Sequence, residues 1–146
     1  FDEAYDFNNG FALVGIDDKG YGFINRRGAY LLQPVFPDAR DFSEYLAAVQ
    51  QDSLWGYVNV EGQWAIAPQY ADARDFADGL APVLDADTLL WGYINRKGVY
   101  EIAPQFKNAY PFENDTARVL LPVERSGVYL SEPAFINRQG EIIETK

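Results

Sequence analysis

Four short turns constrain this chain more than any other feature. Asn25-Arg26-Arg27-Gly28, Asn59-Val60-Glu61-Gly62, Asn95-Arg96-Lys97-Gly98 and Asn137-Arg138-Gln139-Gly140 recur with glycine-to-glycine separations of 34, 36 and 42 residues. Asn at the first position of a β-turn can bond the backbone through its side chain, and Gly at the fourth tolerates a positive φ. Strand-like alternation flanks each turn. In the third copy Trp91, Tyr93 and Asn95 alternate with Gly92 and Ile94, and Tyr100 and Ile102 alternate with Val99 and Glu101. Pro104 is expected to stop the second strand, because proline cannot donate to a ladder. A period of this length marks a repeat protein.

The rest of each copy follows in register. Linkers run from Phe1 to Phe7, Phe36 to Phe42, Tyr70 to Phe76 and Phe106 to Phe112, with Ala4, Ala39, Ala73 and Ala109 at their centres. An aromatic ring opens and closes each one, which predicts a compact turn with little regular structure. A short strand A comes next, as in Leu80-Ala81-Pro82-Val83; Pro82 requires its own position to be an edge or a bulge. A variable loop, strand B, the Asn-x-x-Gly turn and strand C complete the unit. The predicted fold is therefore all-β, one repeat domain of four three-stranded antiparallel units at about 1–35, 36–69, 70–105 and 106–146. Such units must stack, because isolated hairpins are marginal in water. The array can be an open solenoid or a closed, propeller-like ring. Phe1 is in register with Phe36, and Lys146 with Pro34, Pro68 and Pro104, so four whole repeats are present. The start at Phe1 rather than Met suggests a processed product or a module of a longer protein, fused to further domains or repeats.

Composition narrows function. The chain has no Cys, His or Met, so a disulfide, a Cys or His metal site and a catalytic imidazole are all excluded. Its 3 Trp, 10 Tyr and 10 Phe suit a β-rich core held by ring packing. A net charge of -10 opposes binding to nucleic acid or to an anionic membrane surface. The sequence has neither an apolar run long enough to insert in a membrane as a helix nor a signal-peptide pattern.

The run Phe76-Ala77-Asp78-Gly79-Leu80-Ala81-Pro82-Val83, then Trp91-Gly92-Tyr93-Ile94-Asn95-Arg96-Lys97-Gly98, then Ala103-Pro104-Gln105-Phe106, resembles the WG-repeat family. The second copy matches through Trp55-Gly56-Tyr57-Val58-Asn59-Val60-Glu61-Gly62 and Ala67-Pro68-Gln69-Tyr70. The outer copies depart from the pattern, with Tyr21-Gly22 and Pro133-Ala134 in place of Trp-Gly. Terminal repeats are often atypical. The resemblance implies a bacterial β-repeat scaffold that mediates binding, in the envelope or the cytoplasm, with no catalytic residues and no cofactor to carry over.

Candidate site residues come from where the copies differ. Trp55 and Trp91 could form an aromatic platform, but their matched positions and adjacent glycines favour a packing role, and Trp64 is read the same way. Leu120 to Glu132 is the largest departure, a segment about six residues longer than its counterpart in the third copy. Insertions in repeat proteins fall in loops, often on the binding face. Glu124, Arg125 and Tyr129 are its contact chemistry, and a surface insertion or a cap on the last unit is the structural reading. Asp78, Asp85 and Asp87 lack the spacing of a calcium loop. Arg40-Asp41 and Arg74-Asp75 read as local ion pairs or solvated charges. The leading expectation is a non-catalytic module presenting an acidic surface to a protein or glycan partner. The alternatives are a structural spacer and a carbohydrate-active enzyme using paired carboxylates.

Overall fold

The computed structural model describes residues 1–145, and Lys146, with its expected register against Pro34, Pro68 and Pro104, lies outside them. All regular structure among the described residues is β. Fifteen strands follow in order: β1 (Glu3–Asn8), β2 (Phe11–Ile16), β3 (Gly20–Asn25), β4 (Tyr30–Phe36), β5 (Asp38–Ala39), β6 (Leu46–Gln51), β7 (Leu54–Asn59), β8 (Trp64–Ala73), β9 (Ala81–Asp85), β10 (Trp91–Ile94), β11 (Tyr100–Phe106), β12 (Asn108–Ala109), β13 (Ala117–Arg125), β14 (Val128–Ile136) and β15 (Ile142–Thr145). The chain divides into two compact units, Phe1–Tyr70 and Ala71–Lys146, and β8 carries it from the first into the second.

The first unit holds two antiparallel repeats, in the orders β1-β2-β3-β4 and β5-β6-β7-β8. The second unit repeats the plan with the end of β8 beside β9, then β10 and β11, followed by β12-β13-β14-β15. Neither β1 to β4 nor β12 to β15 closes into a barrel. Strands A, B and C thus form in every copy, and the linker adds a fourth. It was expected to be irregular, yet Ala4 pairs with Val14, Ala39 with Val49 and Ala109 with Val119. Alanine at its centre lets the short strand lie close against strand A.

All four Asn-x-x-Gly turns have one geometry. Asn95 accepts from the Lys97 and Val99 N–H groups at 2.9 and 3.1 Å, and Asn25, Asn59 and Asn137 accept from their equivalents at 2.9 to 3.0 Å. The fourth-position glycines lie at φ of 79 to 83°. The turn is fixed locally, which is why it can be read from four residues.

Pro104 does not end its strand. Trp91 pairs with Phe106 and Tyr93 with Ile102, so between these pairs the single residue Gly92 of β10 faces three of β11 and the chain arches out at Ala103-Pro104-Gln105. The first and second repeats arch in the same way at Pro34 and Pro68. A bulge leaves residues outside the ladder, so proline loses no hydrogen bond there. The arch folds over the glycine of the Trp-Gly pair: a Cβ on Gly92 would lie 2.7 Å from the Ile102 carbonyl oxygen and 2.8 Å from Pro104 N. In the fourth repeat Ala134 pairs with Thr145 and Phe135 with Glu144, without an arch, and a methyl fits. Pro82 sits inside β9 opposite Tyr93, and its carbonyl accepts from the Arg74 N–H at 3.0 Å. Its nitrogen therefore faces the side where the linker strand has just ended, and the missing donor costs nothing.

Each unit has its own aromatic core. In the first, Leu13, Phe23, Phe42, Val49 and Val58 are buried together. In the second, Trp91, Tyr93, Phe106, Phe112, Val119 and Ile136 are. Tyr93 is wholly buried, and its hydroxyl donates to the Tyr110 carbonyl at 2.7 Å. Burial pushes its pKa above the usual phenol value.

A candidate contact arm on the fourth repeat

The insertion Leu120 to Glu132 does not form a loop. It lengthens β13 and β14 into a two-stranded ribbon in unbroken register, from Ala117 opposite Ile136 out to Arg125 opposite Val128. Ser126 and Gly127 close it with φ of 54° and 78°. Positive φ at both central residues is the tight hairpin turn that matches strand twist, and it fixes the register.

Among the described residues the ribbon has no neighbours in the sheet beyond its root. β12 pairs with β13 only at Leu120 and Val119, and β15 meets β14 only from Ala134 to Ile136. Leu120 turns its carbonyl outward to the Lys107 N–H, at 2.7 Å. By alternation Pro122 also faces outward, which removes one donor from that free edge. The apolar face of the sheet runs out along the arm: buried Val119 and Ala134 give way to Leu121, Val123, Leu130 and Val128. Val128 is 54% exposed, Leu130 46% and Tyr129 79%.

The arm forms one wall of a cleft of about 240 Å³, shared with Leu90 and Lys107 and lined from the ribbon by Pro122, Val123, Glu124, Tyr129 and Leu130. Two of the three candidate residues meet there, because Glu124 and Tyr129 are directly paired across the ribbon. Arg125 does not line the cleft and is bound to Glu132 at 2.9 Å. The cleft combines apolar walls with one anionic and one cationic group, chemistry suited to holding a side chain rather than to breaking a bond.

The other candidates are structural. Trp55 and Trp91 are each 5% exposed and belong to the core, and Trp64 packs edge-on against Phe36 with 6.3 Å between centroids. Asp85 caps its own turn, accepting from the Thr88 N–H at 2.9 Å, the Thr88 hydroxyl at 3.0 Å and the Tyr100 hydroxyl at 3.1 Å. These bonds, the Thr88 N–H first, hold its pKa below the ordinary carboxylate value. Asp78 accepts from the Asp115 N–H at 3.2 Å. Among the described residues no three Asp or Glu side chains converge on a point where a metal ion could sit. No helix there is long and apolar enough to cross a membrane.

Sequence reasoning missed the role of the linker arginines. The Arg40 guanidinium sits 5.1 Å from the Trp55 ring centroid and that of Arg74 4.2 Å from Trp91. Arg74 also donates to Asn108 Oδ1 at 2.8 Å and to the Ala109 carbonyl, tying the third repeat to the linker of the fourth. The signal was present in the shared register of Arg40 and Arg74. Asp41 is no simple solvated charge either: its Oδ1 is buried without a hydrogen-bond partner.

Fold and site together define an all-β tandem-repeat protein with one elaborated hairpin. The profile described as WG containing repeat matches residues 1–19, 21–55, 55–85 and 91–121, and the chain belongs to that family. The matched residues end at 121, where the arm leaves the sheet. A search of curated proteins returned no significant match.

Proposed function

We propose that this chain is a non-catalytic protein-binding module whose contact element is the arm Leu120 to Glu132. The observation that carries the reading is the cleft beside the arm, lined by Leu90, Val123 and Leu130 together with Glu124 and Tyr129. It suits a protein segment that offers one apolar anchor next to a basic residue, with the anchor in the cleft and the base on Glu124. The net charge of -10 favours the same partner by long-range attraction. Burial of Trp55 and Trp91 leaves those rings unable to stack on a sugar, which favours a protein partner over a glycan.

Peptide display against the chain tests this, with a counter-selection on a variant whose ribbon is cut back from Leu121–Glu132 to a two-residue turn. Selected peptides should pair an apolar residue with Lys or Arg, should not bind the shortened variant, and should weaken at Glu124→Lys. Peptides that bind the shortened variant equally well would refute the reading.

A further inference from the structure

The junctions between consecutive repeats within each unit share one design. In the first unit Phe42 packs on Phe23 and Phe11, with centroids 4.9 and 5.4 Å apart, and the Tyr45 N–H donates to Asn9 Oδ1 at 2.9 Å. In the second unit Phe112 packs on Tyr93 at 4.9 Å, and the Asp115 N–H donates to Asp78 Oδ2. There Arg138, 5.9 Å from the Phe112 ring, also donates to the Asp78 carbonyl. A repeat thus presents a plug to its predecessor: the Phe that closes its linker and the N–H three residues on, joined in the second unit by Arg138 of the Asn-x-x-Gly turn, where the second repeat has Val60. The predecessor presents a socket, made of a strand B ring and a side-chain oxygen on the turn before strand A.

The fourth repeat carries a socket of this design. A groove of about 450 Å³ is lined by Tyr110, Pro111, Glu113, Asn114, Thr116, Arg118 and Phe135. Phe135 stands where Phe23 and Tyr93 stand, and Asn114 where Asn9 and Asp78 stand. The first repeat carries a matching plug. Phe7 holds the position of Phe42 and Phe112 but is 37% exposed where each of those is 3%. Gly10 offers the N–H equivalent to those of Tyr45 and Asp115, and Arg26 takes the place of Arg138, 4.8 Å from the Phe7 ring.

We propose that the groove on the fourth repeat receives the first repeat of a second copy of this chain, so that copies associate head to tail. Phe7 enters against Phe135, the Gly10 N–H meets Asn114 Oδ1, and Arg26 reaches the Asn114 carbonyl beside the exposed Glu113 carboxylate. Charge favours the match locally, since Arg118, resting on the Tyr110 ring at 5.2 Å, provides a cation for the acidic linker of Asp2, Glu3 and Asp6. Plug and socket are different surfaces, so the contact is heterologous and chains can grow.

Sedimentation velocity and light scattering over a wide concentration range test this, using the intact chain. The wild-type mass should rise with concentration past that of a dimer. Phe7→Asp disables the plug, and Glu113→Arg sets a cation against Arg26 in the socket. Each variant alone should stay monomeric, with a circular dichroism spectrum and melting point matching wild type. Their equimolar mixture should form a 1:1 dimer that grows no further, because only one plug and one socket remain competent. A wild-type chain that is monomeric throughout, a variant that still assembles like wild type, or a mixture that stays monomeric would each overturn the proposal.

Discussion

Replacing the glycine of the third repeat's Trp-Gly pair by alanine should destabilise the second unit by more than an ordinary surface change, because the neighbouring strand arches over it. The new Cβ of Gly92→Ala would lie 2.7 Å from the Ile102 carbonyl oxygen, 2.8 Å from Pro104 N and 3.1 Å from the Ala103 carbonyl carbon. Relief would take roughly half an ångström or more of backbone movement to restore an ordinary van der Waals separation. All three atoms are main chain in the arch, so no side chain can swing away. Overpacking of this kind costs about 1–3 kcal/mol. For a unit of this size each kcal/mol shifts the thermal midpoint by about 4–8 °C, so the expected loss is roughly 4–24 °C. Gly56→Ala should cost at least as much, since its added Cβ meets the Ile66 carbonyl oxygen more closely still. The fourth repeat supplies the control. Ala134 already carries a Cβ where the partner strand stays in register, opposite Thr145, so Ala134→Gly should bring no gain and cost only about 0.5–1 kcal/mol from backbone freedom. Thermal and urea unfolding followed by circular dichroism would measure all three. A Gly92→Ala protein that melts with the wild type would refute the claim that the arch demands glycine.

Two further outcomes follow from single hydrogen-bonding groups. Asn95→Ala removes the acceptor of the Lys97 and Val99 N–H groups and the donor to Glu101 Oε2 in an exposed turn, and should cost about 1 kcal/mol, read from the shift of the urea midpoint. Asp41 has its pKa raised above the ordinary 3.8 by burial and then by the charge of Asp6. The folded state therefore holds the proton more tightly than the unfolded one, and ionisation weakens the fold as pH rises through the raised value. Asp41→Asn should melt higher than wild type at pH 7, and the gain should vanish at a pH below the ordinary carboxylate value; an equal gain at both pH values would contradict this account of the buried oxygen.

The sequence by itself determined whatever is settled within a few residues. Asn at the first position and Gly at the fourth dictate each turn through bonds inside the turn, and period-2 alternation dictates the flanking strands. Their recurrence determined the number of repeats, and the aromatic positions correctly indicated the core. Tertiary structure decided what depends on one strand lying against another. Why Trp is followed by Gly is written in the arch of the neighbouring strand, 10 to 12 residues away at Ile102 and Pro104. Whether Leu120 to Glu132 is a loop or a ribbon turned on pairing between residues that local pattern does not connect. Arg74 looked like a surface charge because its partners, Trp91 and Asn108, come from two other stretches of chain. Turns are made of local dihedrals and local bonds, whereas bulges, clefts and stacked cations require the register between strands, which exists only once the chain has folded.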